Sequence, residues 1–93
     1  MDELKQYIYK LVARLLPDTE MIDITAYVDD FSYSIEFWVT INGNKMQCFE
    51  MVDHGILKES DVNSLNQSIA KFIRQLPNYK KDRLNKITLT IKK

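Results

Sequence analysis

The chain has 93 residues, 45% of them apolar and 28% charged, with 13 basic and 13 acidic side chains. That composition describes one folded domain and excludes a disordered tail or a strongly basic nucleic-acid binder. A single cysteine, Cys48, excludes an internal disulfide, and Gly43 and Gly55 as the only glycines exclude a glycine-rich phosphate loop.

Leu4, Ile8, Leu11, Val12, Leu15 and Leu16 recur at helical spacing, so a helix is predicted over about residues 2–16, stopped by Pro17. Lys5, Lys10 and Arg14 fall on its wet side. The period then changes to two. Ile22, Ile24, Ala26 and Val28 alternate with Asp23, Thr25, Tyr27 and Asp29, the pattern of a half-buried strand. Asp29-Asp30 is read as a two-residue turn. It leads into a second strand with Phe31, Tyr33, Ile35, Phe37, Val39 and Ile41 on one face and Ser34, Glu36, Trp38 and Thr40 on the other.

Asn42-Gly43 is the strongest hairpin signal in the chain, because both residues tolerate the positive φ of a tight turn. A third strand is predicted over about residues 44–53, broken by His54-Gly55. Its register stays open. A tight turn sends Lys45, Gln47, Phe49 and Met51 outward and leaves Glu50 near the core; a bulge reverses the set. A second helix is predicted from near Ser60, its hydroxyl serving as cap, with Val62, Leu65, Ile69, Phe72, Ile73 and Leu76 as its stripe and Pro77 as its stop. Residues 78–85 read as a basic connector. Ile87, Leu89 and Ile91 then alternate with polar residues as a last strand.

The expected fold is α+β: an antiparallel sheet of about four strands in chain order α-β-β-β-α-β, with both helices on one face and residues 1–93 in one domain. The other sheet face then meets solvent or a partner, and it displays Tyr27 and Trp38 in either register. Charge is sorted along the chain. Residues 18–61 hold ten acids and two bases, net −8, and residues 71–93 hold eight bases and one acid, net +7. Aromatic side chains beside clustered carboxylates are the composition of a protein-binding surface for a cationic partner.

Catalytic chemistry is not expected. Cys48 and His54, the only histidine, fall at opposite ends of the predicted third strand, too far apart for a nucleophile and its base. Asp53-His54-Gly55 lacks the further ligands of a zinc site, so no metal or other cofactor is expected. Lys80, Lys81, Arg83 and Lys86 suit phosphates, and the element order is shared with double-stranded RNA-binding domains. Here, however, the second helix opens with Glu59-Ser60-Asp61, which repels phosphate, so nucleic acid is not the expected partner. The start of the chain is acidic where a secretory signal is basic, and no apolar run approaches the roughly 20 residues of a membrane span, so a cytoplasmic location is expected.

The stretch LVARLLPDTEMIDITAYVDDFSYSIEFWV, from Leu11 to Val39, with the Asn42-Gly43 turn behind it, resembles small bacterial immunity proteins and antitoxins of polymorphic toxin systems. These include the YezG-like group and contact-dependent growth inhibition immunity proteins. The resemblance implies a cytoplasmic protein, not an enzyme, that binds a cognate toxin, often a basic nuclease, and covers its active site. In that reading Asp23, Asp29, Asp30, Glu36 and Asp53 supply the negative field, and Tyr27, Trp38 and Phe49 the apolar anchors. A secretion-chaperone-like module shares the element order and is the alternative. It would be an obligate dimer, whereas the immunity reading leaves monomer or homodimer open.

Overall fold

The computed structural model describes residues 2–82 and 86–93, with the side chains of residues 81 and 82 left aside. The elements are α1 (Asp2–Leu15), β1 (Met21–Val28), β2 (Tyr33–Ile41), β3 (Asn44–Gln47), α2 (Cys48–Asp53), α3 (Glu59–Arg74), α4 (Pro77–Asp82) and β4 (Lys86–Lys92). The four strands form one antiparallel sheet in the order β3-β2-β1-β4. The expected α+β architecture is therefore present, with two short helices added to the two long ones.

Alternation in the sequence sets the two faces of the sheet. Ile22, Ile24, Ala26 and Val28 of β1, Ile35, Phe37 and Val39 of β2, and Ile87 and Ile91 of β4 are buried, and the residues between them are not. Leu4, Ile8 and Val12 of α1 and Val62, Leu65, Ile69, Ala70 and Ile73 of α3 close over them from one side, completing a single apolar cluster. Leu15, read as part of the α1 stripe, is 40% exposed; Leu16, in the following turn, is buried in its place. The Asn42-Gly43 turn forms as expected, with φ of 52° and 77°. Glu20 supports it by accepting the Gly43 N–H at 2.9 Å.

Four local expectations are corrected. The third strand does not run to residue 53. It stops at Gln47, and Cys48–Asp53 is helical. Gln47 accepts the N–H groups of Phe49 and Glu50 at 2.8 and 3.2 Å, while Glu50 accepts the Gln47 N–H at 3.3 Å. This reciprocal capping box starts the helix. Cys48 and Met51, three apart, are both buried, so Glu50 is exposed and the choice between two strand registers disappears. Replacing Gln47 by Ala is expected to cost about 1 kcal/mol of unfolding free energy. Urea denaturation checks this, and an unchanged midpoint would remove the cap from the account.

The second correction concerns the first hairpin, whose connection has four residues rather than two. Asp29 N–H donates to Ser32 O at 3.0 Å. Phe31, placed by alternation on the inner face, stands at the loop tip and is 98% exposed. Third, α3 begins at Glu59, with Lys58 rather than Ser60 at the cap position. The Asp61 carboxylate accepts the Lys58 N–H at 3.2 Å. Fourth, Pro77 opens a helix as well as ending one: α4 replaces most of the predicted connector, and residues 83–85 of that connector lie outside the described residues. Proline suits a first helical position, where no N–H is needed.

Candidate protein-binding surface

Strand register builds the open face in cross-strand rows. Lys86, Tyr27 and Ser34 form one row, Thr88, Thr25 and Glu36 the next, then Thr90, Asp23, Trp38 and Gln47. Lys92, Met21, Thr40 and Lys45 make the last. Tyr27 is exposed and Trp38 half-buried. In the middle, Thr25, Tyr27, Ser34, Glu36, Gln47 and Phe49 surround a shallow depression of about 320 Å³. Phe49 reaches it from the first turn of α2, 44% exposed. Glu36, which is exposed and lines the same depression as both rings, accepts a hydrogen bond from Gln47 Nε2 at 3.2 Å.

Charge on this face is mixed, so the carboxylates expected to cluster there are interleaved with lysines. Antiparallel pairing returns the basic β4 beside the acidic β1, so the rows carry Asp23 and Glu36 together with Lys45, Lys86 and Lys92. Lys45 bridges Asp23 at 3.2 Å. Its ammonium lies 6.0 Å from the Trp38 ring, and that of Lys86 lies 5.5 Å from the Tyr27 ring. Thr90 donates to Asp23 at 2.8 Å. This hydrogen bond, helped by Lys45 and opposed by partial burial, holds the Asp23 carboxyl below its ordinary pKa. Asp23 is thus satisfied within the sheet, and Glu36 is the acid this face presents.

Asp29 and Asp30, also read as partner-binding, have local work. Asp29 Oδ1 accepts the N–H groups of Phe31 and Ser32 at 3.0 and 2.7 Å, and the Ser32 hydroxyl at 2.9 Å. From α3, Arg74 donates to Asp29 O at 2.8 Å and to Ser32 O at 3.0 Å, fixing the loop from the helix side. Asp30 accepts the Tyr79 hydroxyl of α4 at 2.6 Å. Asp53 is exposed at the last position of α2 and does not line the depression. The structure therefore brings Tyr27, Glu36 and Phe49 together, sets Asp23 and Trp38 in the adjoining row, engages Asp29 and Asp30 in local hydrogen bonds, and leaves Asp53 outside the depression.

Hydrogen bonds from Phe31 N–H, Ser32 N–H and the Ser32 hydroxyl, with Arg74 nearby, hold the Asp29 carboxyl below its ordinary pKa. A depressed folded-state pKa stabilises the fold fully above the unfolded value, here 3.8, and the contribution fades as pH falls through the lower folded value. Asp29→Asn is expected to flatten the pH dependence of the urea midpoint below about pH 4. An unchanged acid limb in the variant would disprove the assignment.

Cys48 opens α2 with its thiol buried, and that burial pushes its pKa up, which keeps it protonated. Among the described residues, no three His, Cys, Asp or Glu side chains converge as a metal set, and no helix is long and apolar enough to cross a membrane. Phe31 is the exposed aromatic that alternation placed wrongly; the spacing of Asp29 and Ser32 around it was the available signal for a side-chain-closed loop. Compared with protein-family models and with curated proteins, the chain matches none.

Proposed function

We propose that this chain is a binding protein of the immunity type, which docks its open sheet face on a basic partner protein and neutralises it. The supporting observation is that the exposed residues Glu36, Tyr27 and Phe49 line one depression on the open face. A carboxylate flanked by aromatic rings favours an arginine or lysine head, which gains an ion pair and ring contacts while water is excluded. Lys45 and Lys86 at the margins narrow the attractive zone to this spot, so specificity comes from placement rather than from a broad negative field. A basic toxin domain, presenting cationic side chains around a phosphate-binding site, has the matching chemistry.

Affinity capture from the native host tests this. A basic protein is expected to be retained by the wild-type chain, and Glu36→Lys is expected to reduce its recovery by about tenfold or more. Equal recovery by both forms would overturn the reading.

A further inference from the structure

A second surface lies at the opposite edge of the molecule from β3. β4 is an edge strand, and among the described residues no strand pairs with its outer side. Lys93 N–H donates to Glu20 O at 3.0 Å, beside the pair Met21 and Lys92. Ladder bonds in an antiparallel pair recur every second residue, so the odd-numbered residues of β4 bond to β1. Lys86, Thr88, Thr90 and Lys92 accordingly turn their N–H and C=O groups to the free edge. That is a template for one more strand.

Beside this edge runs an open groove of about 680 Å³ between α1 and the end of β4. Tyr9 and Ile91 contribute to mainly apolar walls, and Lys5, Lys10, Lys92 and Lys93 surround them. No acidic side chain lines the groove, and none of these four lysines forms an ion pair among the described residues. Lysine stems cover apolar surface while their ammonium groups remain available.

We infer that the β4 edge and the α1 groove together bind an extended, acidic segment of another protein, added to the sheet as a fifth strand. Backbone bonds to Thr88 and Thr90 supply sequence-independent affinity. Side chains on one face of the added strand enter the groove, where an apolar residue packs on Tyr9 and carboxylates meet Lys5 and Lys10. Side chains on the other face lie beside Lys86 and Lys92, which again select carboxylates. A second copy of this chain is the poorer occupant. Symmetric antiparallel pairing of two β4 edges about Leu89 sets Lys86 of each copy opposite Lys92 of the other, a repulsive arrangement. This surface is separate from the Glu36 depression, so either can fail alone.

The test uses the intact chain on an arrayed library of short random peptides. Bound peptides are expected to be enriched in Asp and Glu, and their binding to weaken with added salt. With an enriched peptide, the Thr88 and Thr90 amides should gain protection from hydrogen exchange, and the NMR signals of Lys5, Tyr9 and Lys10 should move while that of Glu36 does not. Thr88→Pro deletes a free-edge donor without touching the β1 ladder, and is expected to weaken binding by about tenfold or more. The double variant Lys5→Glu, Lys10→Glu, on a helix surface that does not depend on edge geometry, should weaken it similarly; Trp38→Ala should not. The inference is overturned by no preference for acidic peptides, by self-association that protects the same amides, or by tighter binding of an RNA oligonucleotide than of any peptide.

Discussion

Replacing Phe37 by Ala is expected to lower the unfolding free energy by about 3–5 kcal/mol. Phe37 is 1% exposed on the inner face of β2, paired across the strands with Ile24 and lying under the helices. Removing its ring loses the transfer free energy of a large apolar group and leaves a cavity that strands on either side and helices above cannot close. A domain of this size has only about 5–15 kcal/mol in total, so the loss takes about a fifth of its stability at the least. Trp38, the next residue, points the other way onto the open face, so Trp38→Ala should cost about 1 kcal/mol, mostly cross-strand contact. Urea melts of the two variants check the contrast. Similar losses from both would mean that the helices do not shield one side of the sheet, and the account of two unlike faces would fall.

That contrast rests on a feature plain in the sequence. Period-two alternation in β1, β2 and β4, the helical stripes of α1 and α3, and Asn42-Gly43 each carry their own physical signature, because burial on one side forces the pattern. The region after Asn44 did not. Cys48, Phe49, Met51 and Val52 are apolar enough to satisfy either period over so short a run. The deciding signal was polar: Gln47 and Glu50 at cap spacing, with Glu50 ill-placed in a strand that follows a tight turn. Proline misled in a related way at Pro77, since the residue that stops one helix can open the next.

The binding face was half legible. Parity alone carries Tyr27, Glu36 and Trp38 to the open side, whatever β3 does. Phe49 reached that neighbourhood by a different route, from a helix start rather than a strand. The sorting of charge along the chain was a poorer guide, because linear segregation survives folding only if the segments stay apart. Here β4 folds back against β1, and Lys45 follows a tight hairpin to Asp23. Asp29 and Asp30 resembled field-setting acids, yet their oxygens close a loop and hold Tyr79.

Tyr27→Ala is expected to weaken binding of the basic partner by about 2 kcal/mol or more, roughly thirtyfold in Kd, while lowering the unfolding free energy by less than that. Tyr27 is 49% exposed in the free chain, so folding gains only part of what its burial can give; the remainder is realised when a partner covers it. Its ring also lies 5.5 Å from the Lys86 ammonium, a contact of about 0.5–1 kcal/mol that the folded monomer loses in the variant. Binding should therefore fall by more than stability does. Phe49→Ala should behave alike, since it also lines the Glu36 depression. Phe31 provides the control: although 98% exposed, it stands at the loop tip outside the depression. Phe31→Ala should leave Kd within about threefold if the partner is held at Glu36. Titration calorimetry on the three variants decides the matter: a loss confined to Phe31→Ala would move the docking site from the sheet face to the hairpin loop, and the Tyr27–Glu36–Phe49 site would be abandoned.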